Sequence, residues 1–222
     1  MPIVVIVGAS RGIGREFARQ YAADGWEVFA TARTEADEAE LDAMSGVTAM
    51  IADVTDEATL DDIAARLPEG IDLLVLNAGI NVREGPLTSV DADNWADIMQ
   101  VNALGPLLAA RALGPKVRDG GTIAALSSTL GSIAANTGGG LYSYRMSKAA
   151  LNAGLKTLSI ELKRRDIAVA ALHPGWVKTE MGGDGAEVDV ADSVSGLRAV
   201  IAGLTPAKTG TFLDYRGNAL PW

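Results

Sequence analysis

The sequence predicts a doubly wound α/β fold, a seven-stranded parallel sheet with helices on both faces, in a single domain over residues 1–222. Three observations carry this. Short β-branched and aliphatic runs alternate with longer segments of helical apolar spacing, the pattern left by a parallel sheet and its crossover helices. The first run passes directly into a glycine-rich turn and then a helical pattern. With 222 residues, 48% hydrophobic and 21% charged, the chain can bury one substantial core and is shorter than chains whose cores divide.

Residues 3–7 read Ile-Val-Val-Ile-Val, apolar without alternation, as a strand covered on both faces must be. The run is too short for a signal segment and has no basic flank. A helix over 12–23 follows, with Phe17, Ala18 and Tyr21 on its inner side. Strands are expected at 27–31 and 47–51, then a helix over 57–67 and a strand at 73–76. A long helix over 92–113 leads to a strand at 122–126. The Gly- and Ser-rich break over 127–143 is long for a compact domain, and such breaks are usually functional or mobile. A helix over 144–164 ends in Lys163, Arg164 and Arg165, which suit the negative pole of its dipole. A strand at 167–172, a glycine-rich surface loop containing Gly182, Gly183 and Gly185, a helix over 191–202 and a strand at 211–213 complete the chain.

Composition excludes several functions. There is no Cys, hence no disulfide, thiolate nucleophile or zinc-thiolate site, and the chain fits a reducing cytoplasm. His173 is the only histidine, on an apolar strand before Pro174, so it reads as a packed residue, and no metal site is expected. No stretch is long enough to span a bilayer. A net charge of -9 repels polyanions and argues against a nucleic-acid partner, so any bound phosphate must be held by local groups.

The turn after the first strand, Gly8-Ala9-Ser10-Arg11-Gly12-Ile13-Gly14, supplies those groups. Glycines permit a tight turn and close backbone approach, and the helix N-terminus offers free N–H groups to a pyrophosphate. A strand, this loop and a helix together are the context of a Rossmann-type dinucleotide site. The second strand ends at Ala32 and Arg33, where NAD-binding proteins place an acid for the ribose hydroxyls. Ala32 cannot serve. Arg33, with Arg11 beside it, can instead grip a 2'-phosphate, favouring NADP(H) over NAD(H) as the preferred cofactor. Glu35 stands at the usual interval for a ribose-binding acid but is expected past the strand end, on the surface. Tyr144 and Lys148 lie four apart, so on a helix their side chains share one face. A nearby ammonium favours phenolate, lowering the tyrosine pKa and making Tyr144 a candidate acid and base.

Taken together these residues resemble the short-chain dehydrogenase/reductase family along essentially the whole chain. The glycine loop matches TGxxxGIG with Val7 in place of threonine. Asp53 and Val54 are similar to the pair that holds adenine, and Asn77-Ala78-Gly79 resembles the motif after the fourth strand. Asn102 in VNALGP is similar to the family asparagine, Ser128 to its serine, Tyr144 and Lys148 to its YxxxK pair, and Pro174-Gly175 to its PG turn. The gap from Ser128 to Tyr144 exceeds the family's usual one, which leaves Ser127 as an alternative. The stretch from Leu130 to Asn152 and the ending FLDYRGNALPW resemble C-factor and sniffer-type carbonyl reductases.

The resemblance implies an NADPH-dependent oxidoreductase interconverting a carbonyl and an alcohol. Tyr144 would be the general acid and base, Lys148 would lower its pKa and bind ribose, Ser128 would bond the carbonyl oxygen, and Asn102 would hold a water connecting Lys148 to solvent. It places Gly8, Ser10, Arg11, Gly12, Ile13, Gly14, Arg33, Asp53, Val54, Asn77, Ala78, Gly79, Tyr144, Lys148, Pro174, Gly175, Val177 and Thr179 against the cofactor. It also implies a homodimer through the helices at 92–113 and 144–164, whose Ala103, Gly105, Ala109, Ala150 and Ala153 allow close approach. The substrate is a small carbonyl or alcohol. Trp176 is the best aromatic for contacting it, and the short acidic segment Glu180 to Glu187 is expected to be a mobile, weakly closing lid. A cofactor-binding signalling protein of C-factor type is the alternative function.

Overall fold

The computed structural model describes residues 1–82 and 84–222. Seven parallel strands stand in the order β3-β2-β1-β4-β5-β6-β7. They are β1 Ile3–Val7, β2 Glu27–Ala32, β3 Val47–Ile51, β4 Ile71–Leu76, β5 Val117–Leu126, β6 Ala168–His173 and β7 Thr211–Asp214. Helices α1 Gly12–Ala23, α2 Glu35–Asp42, α3 Glu57–Arg66, α4 Ala92–Met99, α5 Gly105–Leu113, α6 Tyr142–Glu161 and α7 Val190–Ala202 cover both faces. Among the described residues no helix is long and apolar enough to cross a membrane.

The central strands are apolar throughout because each face meets its own core. Val5 and Val7 of β1 join Leu60, Ile63, Leu113, Leu151 and Leu155 from α3, α5 and α6. Val4 and Ile6 point the other way, to Phe17, Tyr21, Leu41, Val194 and Leu197 from α1, α2 and α7. Successive side chains of a strand alternate faces, so a continuous apolar run is what a two-sided burial needs. The strand order reverses between β1 and β4. At such a switch point the loops leaving the two strands diverge to opposite faces and open a crevice at the carboxyl end of the sheet.

The structure departs from the expected elements in several places, among them β5, which begins at Val117 where the strand was expected from 122. The single helix expected over 92–113 is broken by a π-helical turn, Gln100–Leu104, between α4 and α5. Pro106 has no N–H to give to the carbonyl four residues back, which loosens the ladder there. The apolar pattern predicts no element at the short helix α2. It buries only Leu41, so it has almost no apolar period, and it starts because the Thr34 hydroxyl accepts from the Asp37 N–H at 3.2 Å with three acids in the first turn. Glu35 is its exposed first residue, clear of the strand end as expected. The break over 127–143 contains a short 3-10 turn, Thr129–Gly131, and α6 begins at Tyr142, two residues early.

Candidate active site

The crevice at the switch point is a cavity of about 690 Å³. Its floor is the glycine loop. Gly8 takes φ +87, and a Cβ on it would lie 2.7 Å from the Ala78 Cα, so only glycine lets the loops after β1 and β4 interlock. The Gly8 N–H donates to the Thr31 hydroxyl at 2.9 Å, and the Asn77 amide donates to the Gly8 carbonyl. The Asn77 and Ala78 N–H groups both donate to the Val7 carbonyl, at 3.0 and 2.9 Å. Arg11 precedes α1 without bonding its first turn through its side chain, which leaves the N–H groups of that turn facing the cavity. Gly14 lies outside the cavity, packed so tightly that a Cβ would fall 2.2 Å from the Gly8 carbonyl oxygen.

Two arginines stand at one end of this floor. Arg33 is exposed on the cavity wall at the end of β2. Arg11 also lines the wall, and its side chain is engaged by an acid. Its guanidinium donates to Glu180 at 2.6 Å, both side chains being more than 70% exposed. Asp53 and Val54 line the same end, and the Asp53 carboxylate accepts from the Thr55 N–H and hydroxyl at 2.8 and 2.7 Å. Sequence reasoning missed Thr31 and Glu180. No local signal marks either, since both act on residues far along the chain.

The opposite wall carries Tyr144 and Lys148 from α6. The Lys148 ammonium donates to the Leu126 carbonyl at 2.8 Å and lies 5.8 Å from the centroid of the Tyr144 ring. Burial pulls the Lys148 pKa down to about 8. Burial also pushes the Tyr144 phenol up to about 12, against a smaller downward pull from a hydrogen bond with Ser128. This corrects the expectation that the lysine lowers the tyrosine pKa. The ammonium is engaged by a backbone carbonyl, and desolvation of the phenol outweighs the downward pull of Ser128.

Ser127 lines the cavity and Ser128 does not. The Ser127 hydroxyl donates to the Asn152 side chain at 2.6 Å, whereas Ser128 caps the 3-10 turn by accepting from the Leu130 N–H at 3.2 Å and faces Tyr144. Asn102 is fully buried in the π turn and does not reach the cavity. Its side chain accepts from the Ile80 N–H at 2.7 Å and donates to the Ile80 carbonyl at 2.8 Å and to Ser147 at 3.1 Å. A Cβ on Gly79 would come within 3.3 Å of the Asn102 oxygen and 3.6 Å of the Lys148 nitrogen, so both flank that glycine.

Ser10, Gly12, Ile13, Asn77, Ala78, Gly79, Pro174 and Thr179 also line the cavity, whereas Gly175 and Val177 do not. Gly175 turns the chain at φ +86 against the Tyr215 ring, and Val177 is buried, its carbonyl accepting from the Thr179 N–H at 2.8 Å. Trp176 is not in the cavity either. Its indole donates to the Gly182 carbonyl at 2.9 Å and its ring covers Gly185, so it braces the segment after β6. Among the described residues His173 keeps a buried ring nitrogen without a partner, and burial lowers its pKa to about 4, consistent with a packed neutral imidazole.

A family model described as short chain dehydrogenase matches residues 2–188. The chain is 44% identical over 154 residues to C-signal of Myxococcus xanthus, covering 68% of this chain and 93% of that protein. Among solved structures it resembles the carbonyl reductase Sniffer of D. melanogaster, with a TM-score of 0.91, 32% identity and coverage of 100% of this chain and 99% of that one. It also resembles an NADPH-bound carbonyl reductase from chicken fatty liver, with a TM-score of 0.93 and 31% identity over 100% of both chains.

Proposed function

Because the chain belongs to the short-chain dehydrogenase family, we propose that it interconverts a small carbonyl compound and its alcohol, with NADP(H) as preferred cofactor and NAD(H) as the weaker one. The observation that carries this reading is the placement of Tyr144 and Lys148 on the wall of the cavity whose floor is the Gly8 turn and the start of α1. That floor fits a dinucleotide: Gly8 and Gly12 adopt φ +87 and +55, side-chain Cβ atoms are missing where a pyrophosphate would approach, and a helix N-terminus faces the space. Exposed Arg33 and neighbouring Arg11 suit a 2'-phosphate. The bound cofactor supplies or accepts the hydride.

The chain's own residues manage the proton and the charge. Tyr144 holds its proton to high pH and would give it to the carbonyl oxygen in reduction, taking it back in the reverse direction. Ser128, beside the phenol, would donate to the same oxygen as charge develops. Lys148 adds positive charge next to the phenol and would bind the ribose hydroxyls. Asn102 steadies both, since it bonds Ser147, whose hydroxyl donates at 2.8 Å to the Tyr144 carbonyl. The same reading makes the protein a cytoplasmic homodimer acting alone on a small molecule.

Turnover of NADPH with neutral aldehydes, ketones and quinones tests the proposal. Tyr144→Phe should retain NADPH binding and lose about 10² to 10⁴ fold in turnover, the usual contribution of a general acid. Native turnover in that variant would remove Tyr144 from the mechanism. The identity to C-signal favours a second reading, a cofactor-binding signalling protein. Tight NADPH binding with no turnover of any carbonyl would select it.

A further inference from the structure

Helix α6 starts without a cap of its own. Leu141, just before it, has φ 50 and no side-chain acceptor, and the first turn carries no acid. The leading N–H groups of a helix need acceptors. Glu84, from the segment after β4, supplies one: one carboxylate oxygen accepts from the Ser143 N–H at 2.8 Å, the other from the Ser143 hydroxyl at 2.5 Å. Ser143 is fully buried and Glu84 half-buried, so these charge-assisted bonds are shielded from water. The residue they hold immediately precedes Tyr144.

Two loops meet at that turn. Arg145 donates to the Gly140, Gly139 and Leu130 carbonyls at 3.0, 3.3 and 3.5 Å, drawing the glycine-rich loop onto α6. A Cβ on Gly140 would lie 3.7 Å from the Gly85 carbonyl oxygen, so that loop runs alongside the segment bearing Glu84. Upstream, Asn102 grips Ile80 by both backbone groups. The cavity wall at Gly79 to Asn81 is therefore tied to Asn102 behind it and, through Glu84, to the first turn of α6.

We propose that Glu84 is a positioning residue of the active site: its carboxylate locks the start of α6, and with it the Tyr144 phenol, to the cavity wall that follows β4. The inference rests on Tyr144 being the general acid. A misplacement of about 1 Å in a reacting group can cost on the order of 10² fold in rate. Loss of the clamp should therefore reach kcat far more than cofactor affinity, because α6 offers the cofactor only Tyr144 and Lys148 while the groups of the cofactor floor lie on other elements.

The test compares Glu84→Ala, Glu84→Gln and Ser143→Ala in the full chain, reading kcat with a neutral ketone, NADPH affinity, Tm and the ring signal of Tyr144 in 13C-tyrosine-labelled protein, assigned by its loss in Tyr144→Phe. Glu84→Ala should lower kcat by about 10 to 100 fold, change NADPH affinity by much less and shift the Tyr144 signal. Glu84→Gln, which can accept from the N–H and donate to the hydroxyl, should restore most of both. Ser143→Ala, losing one bond of two, should fall between. A lower Tm with native kcat and an unmoved Tyr144 signal in Glu84→Ala would overturn the proposal. If that variant does not fold, Ser143→Ala decides: an unchanged kcat and signal overturn it, and a several-fold loss with a shifted signal supports it. If the native protein binds NADPH but reduces no carbonyl, the reaction assigned above falls, and the Tyr144 signal alone still decides the positioning.

Discussion

Tyr144 and Lys148 show why identity and spacing do not set a pKa. Their helical spacing puts the two side chains on one face, yet burial moves the phenol up to about 12 and the ammonium down to about 8. Lys148 therefore loses its charge within an accessible pH range. An anionic cofactor prefers the protonated amine, so NADPH affinity is full below about 8 and should weaken as pH rises through that value, by at most about tenfold per unit for one proton. Titrating Kd by NADPH fluorescence from neutral to alkaline pH checks this, and Lys148→Met should flatten the dependence. At the other end of the cavity, Arg11 is shared with Glu180. Glu180→Gln should release it and tighten NADPH several-fold relative to NADH, a charge-assisted bond being worth about 1.5 to 3 kcal/mol before losses to solvent exposure. Arg33→Asp should reverse the preference. Equal affinities for both cofactors in the native protein would remove the two-arginine argument.

At the scale of elements, the π turn between α4 and α5 carries a specific load. It turns Asn102 inward so that one side chain satisfies the Ile80 N–H and carbonyl and reaches Ser147 on α6. Gly105 makes the turn fit, since a Cβ there would lie 2.7 Å from the Val54 side chain. Asn102→Leu keeps the volume but leaves the Ile80 groups without partners, at a cost of about 1 to 3 kcal/mol for each buried group left unpaired. Thermal unfolding should show Tm lower by roughly 2 to 4 °C per kcal/mol in a chain of this size. An unchanged Tm would mean that these groups find water or shift to other partners.

At the scale of the whole molecule, α6 has two apolar faces. Leu151 and Leu155 face the core, whereas Met146 and Ile160, 48% and 66% exposed, lie on the outer face with Ala150 and Ala153 between them. Leu104, 48% exposed, adds to the apolar surface from the π turn. Small residues between larger apolar ones let two helices approach closely, which suits a self-complementary interface about a two-fold axis. Light scattering at micromolar concentration should give twice the 23.0 kDa chain mass, and Ala153→Arg should halve it. A native monomer mass would refute the dimer.

The sheet was legible because its signal is local. Ile3–Val7, Val47–Ile51 and Gly12–Ala23 begin and end where apolar runs and glycines place them. The YxxxK pair and the glycine turn were legible for the same reason, each needing only fixed spacing within one segment. The acidic helix α2 was not, because a cap and a first-turn charge leave little apolar period. What only the tertiary structure decided lies between segments: Thr31 holding Gly8 across 23 residues, Glu84 capping α6 across 59, Glu180 occupying Arg11 across 169. It also decided the direction of the Tyr144 pKa, which no spacing contains. Desolvation depends on how completely other elements cover a group, and which elements do so is set by the order in which the sheet assembles its strands.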